Sequence, residues 1–388
     1  MTTARTARTL LALSAAALLA GCSIMPQFSA LPSFLGGGGG KPKPAELQAN
    51  PNLMGVRQAW TARIGAVNFP LGVAVNGNTV TLASGDGVVL ALDGATGREL
   101  WRANAGAPIA AGAGSDGTTA AVITRNNDLV AFEGGRELWR QRLPALSYTP
   151  PLVAGARVFV LAADRSVAGF DGQTGRRLWA QQRPGEPLVL RQAGVLLAVG
   201  DTLVAGQGGR MAGLNPLNGT IRWEAPIATP RGINDIERLA DLVGGVSRVG
   251  NVVCARAFQA AVGCVDTARG GLLWTQRANG SVGVGGDEAS VFGAENDGRV
   301  VAWRREDGQR GWVNESLLHR GLGTPLALGR SVIVGDDSGF VHMLSREDGS
   351  LLNRLTTDGS AIAATPVVSG NTLVVVTRNG TVYGFVPQ

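Results

Sequence analysis

Lysine is nearly missing from this chain. It occurs only at Lys41 and Lys43, so almost all of the positive charge is arginine. Charged residues make up 16% of the 388 residues and aromatics 5%, and there are only two histidines and three cysteines. Each scarcity excludes a class. So few charges, with no block of one sign, exclude a disordered acidic chain, a coiled coil and a basic nucleic-acid arm. The net charge of +6 is therefore read as arginine bias, and no nucleic-acid partner is expected. Two histidines cannot build a histidine-rich metal site, and no Cys/His spacing matches zinc ligation. There is no G-x-S-x-G elbow, P-loop, dinucleotide fingerprint or EF-hand pattern, so no catalytic, cofactor-binding or metal residue is assigned.

Glycine, by contrast, is abundant at 57 residues, among many Val, Ala, Leu and Thr. That mixture predicts short strands joined by tight turns. The N-terminus has a different character. Arg5 and Arg8 precede an apolar stretch over residues 10–20, too short to span a bilayer comfortably, which ends Leu19-Ala20-Gly21-Cys22. Charge, apolar run and small-residue box in that order resemble the lipobox of bacterial lipoproteins. The resemblance implies that residues 1–21 are a signal peptide and that the thiol of Cys22 carries lipid. Ser23 after the cysteine, in place of Asp, implies sorting to the outer membrane. More than one acyl chain gives stable anchoring. Residues 22–50 include GGGGGKPKP and read as the lipidated cysteine with a flexible linker, leaving 51–388 as the folded domain.

Cys254 and Cys264 lie in two strand-like runs whose turn centres near Gln259, which places them opposite each other in an antiparallel hairpin. In an oxidising compartment they pair as a disulfide, or they remain two buried thiols acting as small apolar residues.

The dominant signal is repetition. DGATGRELW ends at Trp101, DGQTGRRLW at Trp179, NPLNGTIRW at Trp223 and DTARGGLLW at Trp274. Trp60, Trp139 and Trp312 complete the series, with spacings of 41, 38, 40, 44, 51 and 38, and a further 41 residues reaches Asn353 in the same slot. Eight strand-rich repeats of this length predict an all-β, eight-bladed β-propeller of four-stranded antiparallel blades. The last unit lacks a fourth strand, and RQAWTARI near the N-terminus is a fourth strand without a blade. Pairing the two closes the ring and removes an open edge. In the repeated word Asp or Asn starts the turn, Gly takes positive φ and Trp packs between blades.

Function is then sought where the blades differ. Strand order puts the fourth-to-first and second-to-third connections on one face. The longest spacings fall in neighbouring units, and both extra lengths lie on or beside fourth-to-first connections. One is RPGEPLVLRQAGV, with Leu188, Leu190 and Arg191. The other is TPRGINDIERLADLV, with Asp235, Glu237, Arg238 and Asp241, where Ile233, Ile236 and Leu239 recur at helical spacing. An apolar pair with Arg has the composition of an interface hot spot. The plainer alternative is that Leu188 and Leu190 are core residues of a first strand and the insertion a solvated loop. His319 reads as a loop hydrogen-bonding residue and His342 as packing in a strand.

The word A-x-D-x-x-T-G-x-x-x-W resembles the quinoprotein-type propeller repeat. Eight such units behind a lipobox and a Gly/Pro linker resemble the BamB family, lipoprotein subunits of the outer-membrane β-barrel assembly machinery. The sharpest matches are Leu188-Val189-Leu190-Arg191, DIERLADLV over residues 235–243, and LLHR over residues 317–320 followed by VGDDSGFVHML. The resemblance implies a non-enzymatic scaffold on the periplasmic face of the outer membrane. Its implied partners are the POTRA domains of BamA, other Bam subunits and unfolded outer-membrane proteins. Leu188, Leu190 and Arg191 would contact BamA, with Asp241 as the first residue of an acidic D-x-D pair. Val243 stands where the second acid is expected. The competing readings are a PQQ-dependent dehydrogenase, for which no axial Asp/Glu/Asn constellation is found, and a sugar- or peptidoglycan-binding propeller. The latter would need an exposed Trp, and only Trp303 lies outside the repeat anchors.

Overall fold

A computed structural model describes residues 42–182, 190–229 and 239–388. The signal segment, Cys22, Leu188, and Ile233, Asp235, Ile236, Glu237 and Arg238 of the insertion lie outside the described residues.

Eight antiparallel four-stranded sheets follow one another along the chain. The first comprises Ala74–Asn76, Thr79–Ala83, Val88–Asp93 and Glu99–Asn104, and the next six repeat its order. The eighth takes three strands from the C-terminus, Val367–Ser369, Thr372–Val376 and Thr381–Pro387. Its outermost strand comes from the N-terminus, Val56–Arg63 paired with Thr381–Pro387. This is the propeller with the closure that the missing fourth strand implied.

The repeated word builds a seam between blades. Asp93 Oδ1 accepts the Thr96 N–H at 2.9 Å and the Thr96 hydroxyl at 2.7 Å, and Gly97, at φ 71°, donates its N–H to the Asp93 carbonyl at 2.8 Å. Trp60, from the preceding blade, donates Nε1 to the Gly94 carbonyl at 3.1 Å, and a Cβ on Gly97 would collide with its indole. Glycine is needed here both for its φ and for the close approach. The same pairing recurs: Trp139 reaches the Gly172 carbonyl at 2.8 Å, Trp179 that of Pro216 at 3.0 Å, and Trp274 that of Arg305 at 2.7 Å. Each of these Trp residues therefore reads the turn of the next blade.

One feature of the seams has no marker in the repeat itself. Where the fourth strand pairs with the third, the register slips at the residue before the Trp position: Leu100, Leu138, Leu178, Arg222, Leu273 and Leu352 are skipped, and Ala59 in the closing strand. Such a bulge bends and twists the strand. The following indole lies over the paired glycine of its own sheet, where a Cβ on Gly384, Gly169 or Gly213 would meet Trp60, Trp179 or Trp223, and reaches from there to the turn of the next blade.

The core is distributed between adjacent blades. Ala83 and Val89 of the first blade, for example, pack with Ile109, Val122 and Phe132 of the second. One buried charge faces a counter-charge across a seam. Arg256, fully buried, lies 3.0 Å from Glu295 of the next blade and over the Trp303 ring. Burial holds its pKa below the usual guanidinium value, and Glu295 opposes that shift. Cys254 and Cys264 sit at directly paired positions, Cα–Cα 3.9 Å, and form a disulfide, with Gln259 at positive φ in the intervening turn. Arg305 Nη1 reaches Cys254 Sγ at 3.3 Å.

Ahead of the closing strand the chain is held to the propeller. The linker expected over residues 22–50 includes residues that the structure shows bonded. The Ala45 N–H donates to the Leu318 carbonyl at 2.9 Å, and the Leu53 N–H to that of Leu352 at 2.8 Å. Arg320, Arg354 and Arg330 donate to the carbonyls of Ala45, Gln48 and Leu53. Leu47 packs on the cluster shared by the sixth and seventh blades. Carbonyls bonded by three arginines, together with the packing of Leu47, explain why Gly/Pro composition upstream does not carry through to residue 50.

Candidate partner-docking face

The fourth-to-first and second-to-third connections share one face, as strand order requires. On it, the connections entering the third, fourth and fifth blades are woven together. The Gly194 N–H donates to Thr149 Oγ1 at 2.9 Å, the Gly244 N–H to the Ala193 carbonyl at 2.6 Å, and Gly194 bridges Val243. The backbone that follows the Leu190–Arg191 element, at Ala193 and Gly194, is thus bonded on both sides.

Asp241 bonds the element itself. Its Oδ1 accepts from Arg165 Nε at 3.2 Å and Nη2 at 3.0 Å, and its Oδ2 from the Leu190 N–H at 3.4 Å. The side chains of Arg165 and Asp241 are only 12% and 16% exposed. The expected acidic contact therefore points inward: Asp241 orients Leu190 and joins the two unusual connections. The Arg165–Asp241 bonds carry charge on both partners and are the stronger part of this arrangement; the bond to the Leu190 N–H is longer.

Leu190 is half-buried and Arg191 exposed, its guanidinium 5.7 Å from the Tyr148 ring centre. Tyr148, Leu190, Asp241 and Arg165 line one small crevice, and Arg191 lies on the rim of a cavity of about 810 Å³ at the ring axis. Tyr148 and Arg165 were not singled out from the sequence. Tyr148 stands in the connection entering the third blade. Arg165 sits at φ 63° in the turn of ADRS, which is the one local hint that its side chain is aimed.

The remaining candidates fall elsewhere. Val243 is buried at 2% exposure, so a second carboxylate at that position would enter the core. His319 is exposed on its loop. His342 is fully buried, 3.0 Å from Asp336, which also accepts from Arg320 Nε at 2.7 Å. Burial lowers the His342 pKa, with Asp336 opposing. Burial pushes Asp336 upward, but bonds from His342, the Phe340 N–H and Arg320 together hold it below the usual carboxylate value. This cluster cements the connection into the seventh blade. Trp303, the indole that a sugar platform would have needed, is 2% exposed beneath Arg256. Among the described residues no group of three or more His, Cys, Asp or Glu is placed to hold a metal, and no helix is long and apolar enough to cross a membrane.

The family model described as outer membrane protein assembly factor BamB matches residues 57–314 and 315–386. The assembly factor BamB of Burkholderia pseudomallei is 38% identical over 340 residues, 87% of this chain and 89% of that protein. That of Bordetella pertussis is 37% identical over 343 residues, with the same coverage. The crystal structure of BamB from Moraxella catarrhalis superposes with a TM-score of 0.77 at 25% identity, covering 85% of this chain and 99% of that one. The quinohemoprotein alcohol dehydrogenase of Comamonas testosteroni shares the fold alone, with a TM-score of 0.66 at 14% identity.

Proposed function

The chain belongs to the outer membrane protein assembly factor BamB family, and from that premise we propose that it is a non-enzymatic scaffold of outer-membrane protein assembly. It is anchored by lipid on Cys22 at the periplasmic face of the outer membrane, with residues 1–21 as signal peptide, 22–50 as anchor and linker, and 51–388 as propeller. Its partner surface is the face where the connections into the third, fourth and fifth blades interlock, and that surface binds the POTRA domains of BamA. Through BamA it works alongside the other Bam subunits on unfolded outer-membrane proteins.

The observation that carries this reading is the double role of Asp241. It joins the two connections that depart most from the repeat and holds Leu190 beside an exposed Arg191. A scaffold needs a contact that is rigid before the partner arrives, because ordering it on binding costs affinity. Leu188 and Leu190 supply the apolar anchor. Arg191, stacked on Tyr148, supplies a cation for a carboxylate or carbonyl of the partner.

A titration of the mature chain against the POTRA region of BamA tests it. Leu188→Ala/Leu190→Ala and Arg191→Glu, each confirmed as folded by circular dichroism, are expected to weaken binding by at least about 30-fold, the effect of losing a hot spot of roughly 2 kcal/mol. A wild-type chain that shows no binding at micromolar concentrations contradicts the partner assignment.

A further inference from the structure

Residues 45–54 form a strap with an unusual course. Strand Val56–Arg63 begins opposite Pro387, on the face of the third-to-fourth turns, and ends opposite Thr381 on the face of the fourth-to-first connections. Without a strap, the N-terminal tether would leave from the first of these faces. Instead the strap runs back across the outside of the seventh blade. Near the closing strand, Leu53 bonds Leu352 at the start of strand Leu351–Thr356, and Met54 packs with the cluster of the seventh and eighth blades. Further back, Asn50 Nδ2 donates to the carbonyl of Arg354 and Gln48 accepts from the Arg354 side chain. At its far end, Ala45 bonds Leu318 and Arg320, both in the connection entering the seventh blade. The strap has therefore crossed from one face to the other.

Asn353 explains why the strap can lie there. In the other outer strands its slot holds Trp, which docks on the turn of the next blade. The eighth blade has no such turn, because its outer strand comes from the other end of the chain. Asn353, 2% exposed, donates instead to the Met54 carbonyl at 2.6 Å and accepts from Asn50 Nδ2 at 3.0 Å.

We infer that the strap sets which face of the propeller looks toward the lipid surface: it delivers the anchor tether to the face that carries Leu190, Arg191 and Asp241. This rests on the reading of Cys22 as lipidated. The magnitudes make the placement matter. The nine residues from Ala45 to Leu53, with Asn52 turned to φ 49°, span at most roughly 26 Å. A Gly-rich chain of the length between Cys22 and Ala45 has a root-mean-square span of roughly 25 Å. Moving the outlet by the thickness of the ring is thus as large as the tether's own typical reach. The membrane and the partner surface are then met from the same side.

The test uses the mature lipidated protein in vesicles containing an acceptor-labelled headgroup lipid. A donor dye is placed on Asn126→Cys, in a second-to-third turn, or on Ala95→Cys, in a third-to-fourth turn on the opposite face. Both residues are exposed, and Cys254 and Cys264 are occupied by their disulfide. Energy transfer from position 126 is expected to exceed that from position 95 by roughly twofold, given a tether of this reach. In Leu47→Asp, or in the milder Asn50→Ala/Arg354→Ala, fast hydrogen exchange at the Ala45 and Leu53 amides reports strap release, and the difference is expected to vanish or reverse. Equal transfer from the two positions in the wild type, or a difference that survives strap release, overturns the inference. A chain that does not float with the vesicles overturns the lipid-anchor reading itself, and the inference falls with it.

Discussion

The outer belt of the propeller and its connection face solve opposite problems. In the belt, one contact is made again and again: an indole after a bulge meets a glycine in the next turn. Around Asp241, by contrast, every contact is made once. Arg165, Leu190 and Asp241 come from the third blade and from the connections into the fourth and fifth, and nothing equivalent to their arrangement recurs among the described residues. Repetition marks what every blade needs in order to pack. The departure marks where the molecule presents a surface that only one region can present.

If the comparison holds, belt substitutions lower stability and leave partner affinity per folded molecule unchanged, while connection-face substitutions do the reverse. The largest effect is expected for Trp60→Ala, which empties the seam that closes the ring. A loss of about 3–5 kcal/mol in denaturant unfolding is the size for a buried Trp. A loss below about 1 kcal/mol would mean that the ring is held shut by the strand pairing alone. Asn353→Ala is expected to cost less, about 1–3 kcal/mol, because it leaves the Met54 carbonyl unpaired. Asn353→Trp sharpens the comparison. It puts back the belt residue but should destabilise too, since no turn waits to receive it. A gain in melting temperature there would show that the slot, and not its neighbour, dictates the residue.

The Asp336–His342 cluster predicts a smaller, pH-dependent effect. Both groups have folded-state pKa values below their usual 3.8 and 6.5. Each therefore binds protons more readily when unfolded, so its contribution is present above the unfolded value and is lost as pH falls. Stability should decline as pH drops below about 6.5 through His342 and again below about 3.8 through Asp336. In His342→Gln the first decline should be missing from unfolding curves collected across that range. An unchanged slope would place the acid sensitivity elsewhere.

The belt was legible because it is local. Turn, glycine and Trp fall within nine residues, and their recurrence gave the blade count and the strand that closes the ring. The hairpin that sets Cys254 against Cys264 could be read for the same reason. The bulge before each Trp was not legible, because a skipped pairing leaves no mark in one strand alone. Nor was the inward turn of Asp241. Its partner Arg165 is 76 residues away, and a carboxylate on a loop looks the same in sequence whether it faces solvent or a guanidinium. The pairing of Arg256 with Glu295 escaped similarly: an arginine in the run NVVCARA gives no sign that its charge is buried and met by the next blade. The strap was hidden by composition, since GGGGGKPKP suggests freedom that the residues just after it do not have.

The face assignment itself is tested most directly by a photo-crosslinking amino acid placed at Arg191 and, as the belt control, at Gln173, an exposed residue in the turn of the third blade on the opposite face. In intact membranes, position 191 is predicted to give a covalent adduct with BamA and position 173 none. Equal adducts from both positions, or an adduct from 173 alone, would contradict the account.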